Sequence, residues 1–238
     1  EYDKLDTMLT RYRADIDRQR RAQYFESSEA EVYYKKSLDP LLSGSASDQS
    51  SAYLLLARYE ISYKNDIDEA TKDIRKAIDV SRATSTDSYI YESAITMLFA
   101  LGHGDVAVTF AKEYVDASSR SLKSLRILAE TYLKLGELAL ASQSFDDYLS
   151  HDDDVYKALR DVFERYSFYN FADEGLSWLE SHLANYKSNG NLDNYSYCVD
   201  TLAEARKQVY IRSFSDESLY RQAQSSYREL FEIDKRVY

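Results

Sequence analysis

Gly102, Gly136 and Asn170 stand 34 residues apart, and each closes a run of apolar residues with the same internal spacing. The runs are Tyr91, Ala94, Ile95 and Leu98; Leu125, Leu128, Ala129 and Tyr132; and Leu159, Val162, Phe163 and Tyr166. Positions i, i+3, i+4 and i+7 lie on one face of a helix. Gly and Asn are the residues that end a helix in the left-handed region at least cost. Behind each turn comes a second series: Ala107, Ala111, Tyr114; Ala141, Phe145, Tyr148; Gly175, Leu179, His182. Its first member is small each time, as two closely approaching backbones require. The spacing predicts helix–turn–helix hairpins in tandem. A single hairpin cannot bury its apolar face alone, so the hairpins must stack on their neighbours.

The step extends upstream with one irregularity. Asn65 follows Leu54, Ala57 and Ile61, and precedes Ala70, Ile74 and Ala77, but it lies 37 residues before Gly102. The three surplus residues are expected in the turn at 82–87. Residues 28–40 read as another second helix, preceded by a long helix from Tyr2 to Phe25. Between Pro40 and Ser51, "PLLSGSASDQSS" reads as a flexible loop. After "NGN" at 189–191, helices are expected at about 192–212 and 216–236, the latter with Tyr220, Tyr227, Leu230 and Phe231 on one stripe. The expectation is one domain over 1–238. It comprises a long N-terminal hairpin at 1–40, four repeat units at 52–188 and a capping helix pair at 190–238, making twelve helices in six hairpins. Terminal units differ because they cover an edge that has no neighbour.

This pattern resembles the tetratricopeptide repeat family, whose 34-residue unit reads W-x2-L-G-x2-Y, then A-x3-F, then P. Here the Trp position is unfilled, Ala129 takes the place of the family's Gly, and no closing Pro follows Pro40. The resemblance implies an all-α, right-handed superhelix (α-solenoid) of about six antiparallel hairpins, with the first helix of each unit lining a concave groove. The groove residues it implies are Tyr59, Tyr63, Tyr89, Glu92, Thr96, Phe99, Lys123, Arg126, Glu130, Lys157, Arg160 and Glu164, with Leu55 beside the first two. Lys123, Arg126 and Glu130 recur 34 residues later as Lys157, Arg160 and Glu164. A groove running from aromatic to basic suits a peptide with an aromatic-friendly segment and a carboxylate, which Arg holds with two bonds. The other reading keeps Arg126–Glu130 and Arg160–Glu164 as i, i+4 surface pairs with no ligand. The carboxylate clamp with which some family members hold chaperone tails is unmatched, since Leu55, Tyr59 and Glu92 stand at its first positions.

Composition agrees. One Pro and six Gly in 238 residues leave little to interrupt helices, and no Val/Ile-rich alternation marks a strand. A net charge of −11 argues against nucleic acid and against anionic lipid. Arg11, Arg13, Arg18, Arg20 and Arg21 are interleaved with Asp15 and Asp17 and read as a solvated helix face. No run of 18 apolar residues occurs, so no segment of the sequence is expected to insert in a membrane.

Catalytic constellations are not found. His103, His151 and His182 are isolated, and the lone Cys198 reads as a half-buried thiol. "HDDDV" at 151–155 lacks the Gly and the distal Glu of a calcium loop, so Asp153 or Asp154 is expected to cap a helix. The 23 tyrosines serve interhelix cores and interfaces equally. The expectation is a non-enzymatic scaffold with neither metal nor cofactor, binding an unidentified protein or peptide, as a monomer or weak homo-oligomer. Its rivals are a self-assembling structural subunit and an accessory subunit holding a small apolar ligand in an aromatic groove. A chain that opens on Glu1 suits a processed exported domain, lipid-anchored at a bacterial cell envelope, with a cytoplasmic origin the alternative.

Overall fold

In the computed structural model of the chain, residues 28–82, 87–213, 218 and 221–229 are described, and every regular element among them is helical. The chain divides into two compact units, Glu1–Phe110 and Ala111–Tyr238. The helix expected from Tyr2 to Phe25 and most of the last one lie outside the described residues.

The first unit holds α1 (Ser28–Leu42), α2 (Ala46–Tyr59), a π turn (Glu60–Lys64), α3 (Ile67–Arg82), α4 (Asp87–Ala100) and the start of α5 (Gly104–Ala117). Helix α1 packs on α2, α2 on α3, and α3 on α4. The loop expected between Pro40 and Ser51 is corrected to three residues, 43–45. Pro40 sits in the last turn of α1, where it withholds the N–H that the Lys36 carbonyl would otherwise accept, and the helix ends two residues later at Leu42. Ser45 then starts α2 with a capping box: its hydroxyl accepts from Asp48 N at 3.3 Å, and the Asp48 carboxylate accepts from Ser45 N at 3.0 Å. The three surplus residues are also placed differently. Helix α3 has 16 residues against 14 in α5 and in the corresponding α7, so two of the three extend a helix. The chain leaves the π turn at Asn65, in the left-handed region at φ 54°. Helix α1 is clamped to the π turn by the Glu31–Lys64 pair at 2.6 Å, and to the end of α2 by the rings of Tyr34 and Tyr59, stacked at 4.6 Å.

The second unit holds the end of α5, then α6 (Leu122–Leu135), α7 (Leu138–His151), α8 (Val155–Phe168), α9 (Ala172–Ser188), α10 (Leu192–Ser213) and a helical stretch at 221–229. Each helix from α6 to α10 packs on the next, and the first helices α8 and α10 also touch each other.

One turn geometry recurs along the chain. Gly102, Gly136, Asn170 and Gly190 all have positive φ. In each case the following N–H reaches back five residues: His103 to the Leu98 carbonyl at 2.8 Å, Glu137 to Tyr132 at 3.0 Å, Phe171 to Tyr166 at 2.8 Å, and Asn191 to Tyr186 at 3.1 Å. This is the hydrogen bond that closes a helix behind a left-handed residue. The last apolar residue of three repeats (Leu98, Tyr132 and Tyr166) thus has two roles, packing in the core and accepting the bond that ends its helix.

Close approach of the backbones is clearest at Gly175, where an added Cβ would lie 2.8 Å from Tyr166 Cβ. The preceding unit has Ala141 there, fully buried.

Candidate partner-binding surface

The first helices α6, α8 and α10 carry the charged positions singled out by the 34-residue step. Lys123 is exposed on α6. Arg126 is half-buried, and its Nε lies 3.6 Å from Glu130 Oε1. On α8, Lys157, Arg160 and Glu164 are all exposed. The Lys157 N–H is held by Asp154 at 3.0 Å, and Asp154 is the helix cap expected at "HDDDV".

Glu130 does not stand open to a ligand. Arg165 Nε approaches the same Oε1 at 3.5 Å, and the Tyr169 hydroxyl donates to Oε2 at 3.4 Å. Arg165 also bonds Asp161 at 3.2 Å, and the Tyr148 hydroxyl donates to Asp161 at 3.1 Å. Two arginines and two carboxylates therefore neutralise one another between α6 and α8. Burial works against the Arg165 charge, but Glu130 and Asp161 outweigh it and raise its pKa. Burial, with Glu130 beside it, pushes the Tyr169 phenol up to about 12; burial and Asp161 drive Tyr148 upward too. The 34-residue recurrence misses Asp161 and Arg165, because their counterparts one step earlier are Ile127 and Thr131. Their i, i+4 spacing is the signal that could have found them.

Between α8 and α10 the same ridge opens into a groove of about 210 Å³. Tyr156, Arg160, Phe163 and Glu164 line one wall, Asp200 and Glu204 the other. The Arg160 guanidinium sits 5.7 Å from the centre of the Tyr156 ring. The Tyr156 hydroxyl donates to Asp200 Oδ2 at 2.7 Å, and the Tyr227 hydroxyl to Glu204 Oε2 at 2.8 Å. Lys207 reaches Glu204 from the same helix at 3.2 Å. The bond from Tyr227 holds the Glu204 carboxyl below its usual range, while burial and Glu204 push the Tyr227 phenol up to about 12. The proton stays on the phenol and the charge on the carboxylate. In this groove one arginine faces three carboxylates.

Tyr59 is 1% exposed and belongs to the core, its ring 5.2 Å from that of the half-buried Tyr63. Tyr89 is 65% exposed and Thr96 is exposed, whereas Glu92 and Phe99 are half-buried.

Other titratable groups are committed to packing. Cys198 is fully buried, donates to the Leu179 carbonyl at 3.3 Å, and has its thiol pushed up to about 12 by burial. Asp146 on α7 gathers Trp178 Nε1 at 2.8 Å and His182 Nε2 at 3.0 Å from α9. Among the described residues no group of three or more His, Cys, Asp and Glu could hold a metal, and no helix is long and apolar enough to cross a membrane.

The hairpins define a helical repeat protein, and the chain is similar to solved structures of that class. A putative kinesin light chain with nearly identical TPR-like repeats from Podosopora anserina matches at 15% identity, over 79% of this chain and 96% of that one, with a TM-score of 0.36. MamA matches at 13% identity, over 79% and 92%, with a TM-score of 0.37. A tetratricopeptide repeat protein from Parabacteroides merdae matches at 16% identity, over 77% and 80%, with a TM-score of 0.36. No protein-family model matches the chain, and no curated protein does.

Proposed function

We propose that the chain is a non-enzymatic scaffold whose first-helix surfaces bind a segment of another protein, with the α8–α10 groove as the principal seat. The observation that carries this reading is the groove itself: charged and aromatic side chains converge on an open space between two successive first helices. Charged walls suit a polar peptide better than a small apolar ligand, because each buried charge needs a partner. The carboxylate grip expected of Arg126 and Arg160 is not favoured by this arrangement. Arg126 already pairs with Glu130, and Arg160 is outnumbered by carboxylates.

A photo-crosslinking residue at Lys157, beside the groove, tests the reading against one at Gln143, exposed on the second helix α7. Protein adducts from the native cell should form from position 157 and not from 143. Equal yields at both, or none at either, would refute the assignment.

A further inference from the structure

We propose that the α8–α10 groove selects a basic side chain, so that the segment it binds presents an arginine or lysine to Glu164, Asp200 and Glu204. The inference rests on the scaffold reading and adds to it the sign of charge that the scaffold recognises.

One repeat earlier the chain displays the filled version of the same arrangement. On α6, Arg126 and Glu130 face a set spaced i, i+4, i+8, Asp161 and Arg165 on α8 and Tyr169 at its C-cap. On α8, Arg160 and Glu164 occupy the places of Arg126 and Glu130, 34 residues on. The set they face on α10 has the same spacing but reads Asp200, Glu204 and Gln208. Arg165 bridges two carboxylates in the first ridge, and Glu204 stands at its place in the second. In the second ridge Glu204 is paired within α10 by Lys207, but no described cation of α10 bridges across to Glu164 as Arg165 does to Glu130, and an open groove lies there.

The carboxylates are also arranged at some expense to the fold. Asp200 and Glu204 are like charges at i, i+4 on one helix face, which works against that helix. One oxygen of each accepts from a phenol, of Tyr156 and of Tyr227, and Glu204 is paired besides with Lys207 at 3.2 Å. Neither Glu164 nor Asp200 Oδ1 has a hydrogen bond or ion pair to another described residue. A guanidinium or ammonium entering the groove would take the place held in the first ridge by Arg165, against the aromatic wall of Tyr156 and Phe163.

A library of random dodecapeptides displayed on phage and panned on the full chain tests this. Enriched peptides should share an Arg or Lys, and the best of them should bind more weakly as salt rises. The paired variant Asp200→Asn, Glu204→Gln keeps side-chain size and acceptors and should weaken that peptide roughly tenfold in a fluorescence titration. Arg160→Gln, which removes the competing cation and leaves the α10 wall intact, should strengthen it about threefold. The opposite sign keeps the test decisive even if the paired variant folds poorly. Enriched peptides without basic residues, or affinities that neither variant moves, would overturn the charge assignment and leave the scaffold reading standing. A library that yields no binder at all would sink both.

Discussion

Replacing Gly175 with alanine sets helix propensity against packing, and the structure decides which wins. Alanine inside a helix is preferred to glycine by about 1 kcal/mol, so at an open site Gly175→Ala would stabilise α9. At this site the new Cβ would lie 2.8 Å from Tyr166 Cβ and 3.2 Å from Phe163 Cδ2 and Tyr166 Cγ. Carbon atoms rest at roughly 3.5–4.0 Å, so α8 and α9 must separate. Tyr166 Cβ is fixed to its backbone and cannot swing aside as a side-chain tip could. Both Tyr166 and Phe163 are 2% exposed, so separation also loosens contacts they make elsewhere. Overpacking of this kind costs about 1–3 kcal/mol. The rigid obstruction places it in the upper part of that range, and the propensity gain offsets about 1 kcal/mol. The net loss is about 1–2 kcal/mol, which for a chain of this length lowers Tm by about 2–8 °C. Thermal melts followed by circular dichroism, together with urea midpoints, measure it. Ala141→Gly, the reverse change at the equivalent place in the preceding unit, should also lose about 1 kcal/mol. A rise in the Tm of the Gly175→Ala protein would refute the claim that close backbone approach fixes this residue.

Gly136→Ala should destabilise for a different reason. Nothing lies within 4 Å of the added Cβ, but φ is +74°, and left-handed alanine costs about 1–2 kcal/mol; Gly136→Asn should cost clearly less, since Asn65 and Asn170 hold the same conformation. Equal urea midpoints for the Ala and Asn proteins would contradict this. Ser45→Ala removes the capping box of α2 and should cost about 1 kcal/mol in urea unfolding, with Ser45→Asp retaining most of the stability. The phenols of Tyr166, Tyr169 and Tyr227 have their pKa raised from 10.0 to about 12 in the folded chain, by burial in each case and by neighbouring carboxylates. A phenol with a raised folded pKa binds its proton more tightly in the native state, so its contribution to stability is complete below pH 10 and is lost as pH climbs toward 12. Tyrosinate absorbance should therefore show a late-titrating set in the folded protein, and Tyr169→Phe should flatten the fall in stability above pH 10. A single titration step near the ordinary value would contradict it.

What the sequence disclosed depended on whether a residue's job was local. Gly102, Gly136 and Asn170 end helices through their own backbone preference, and Asn65 does the same, so the turns were legible from residue type and interval alone. The stretch after Pro40 was misjudged because its Ser and Gly content outweighed a four-residue capping signal, Ser45 to Asp48, that had the stronger mechanism. The proposed binding surface required a relation between two helices that no single period contains. Arg126 and Arg160 are equivalent by interval, yet one is neutralised by Glu130 and the other faces three carboxylates. The difference lies in the next first helix, where Arg165 in α8 corresponds to Glu204 in α10. Tyr59 carries the same lesson in the first unit, since its helical position matches the groove series but the ring of Tyr34 on α1 covers it. A repeat's inner face is thus specified two helices at a time, and a substitution there acts through the charge of the facing helix as much as through its own. It follows that Glu204→Arg should close the α8–α10 ridge internally, reproducing the pairing that Arg165 makes with Asp161. The variant should lose any basic ligand, and thermal melts should show little net change in stability, because the new i, i+4 ion pair with Asp200 is set against the bonds that Tyr227 and Lys207 give Glu204.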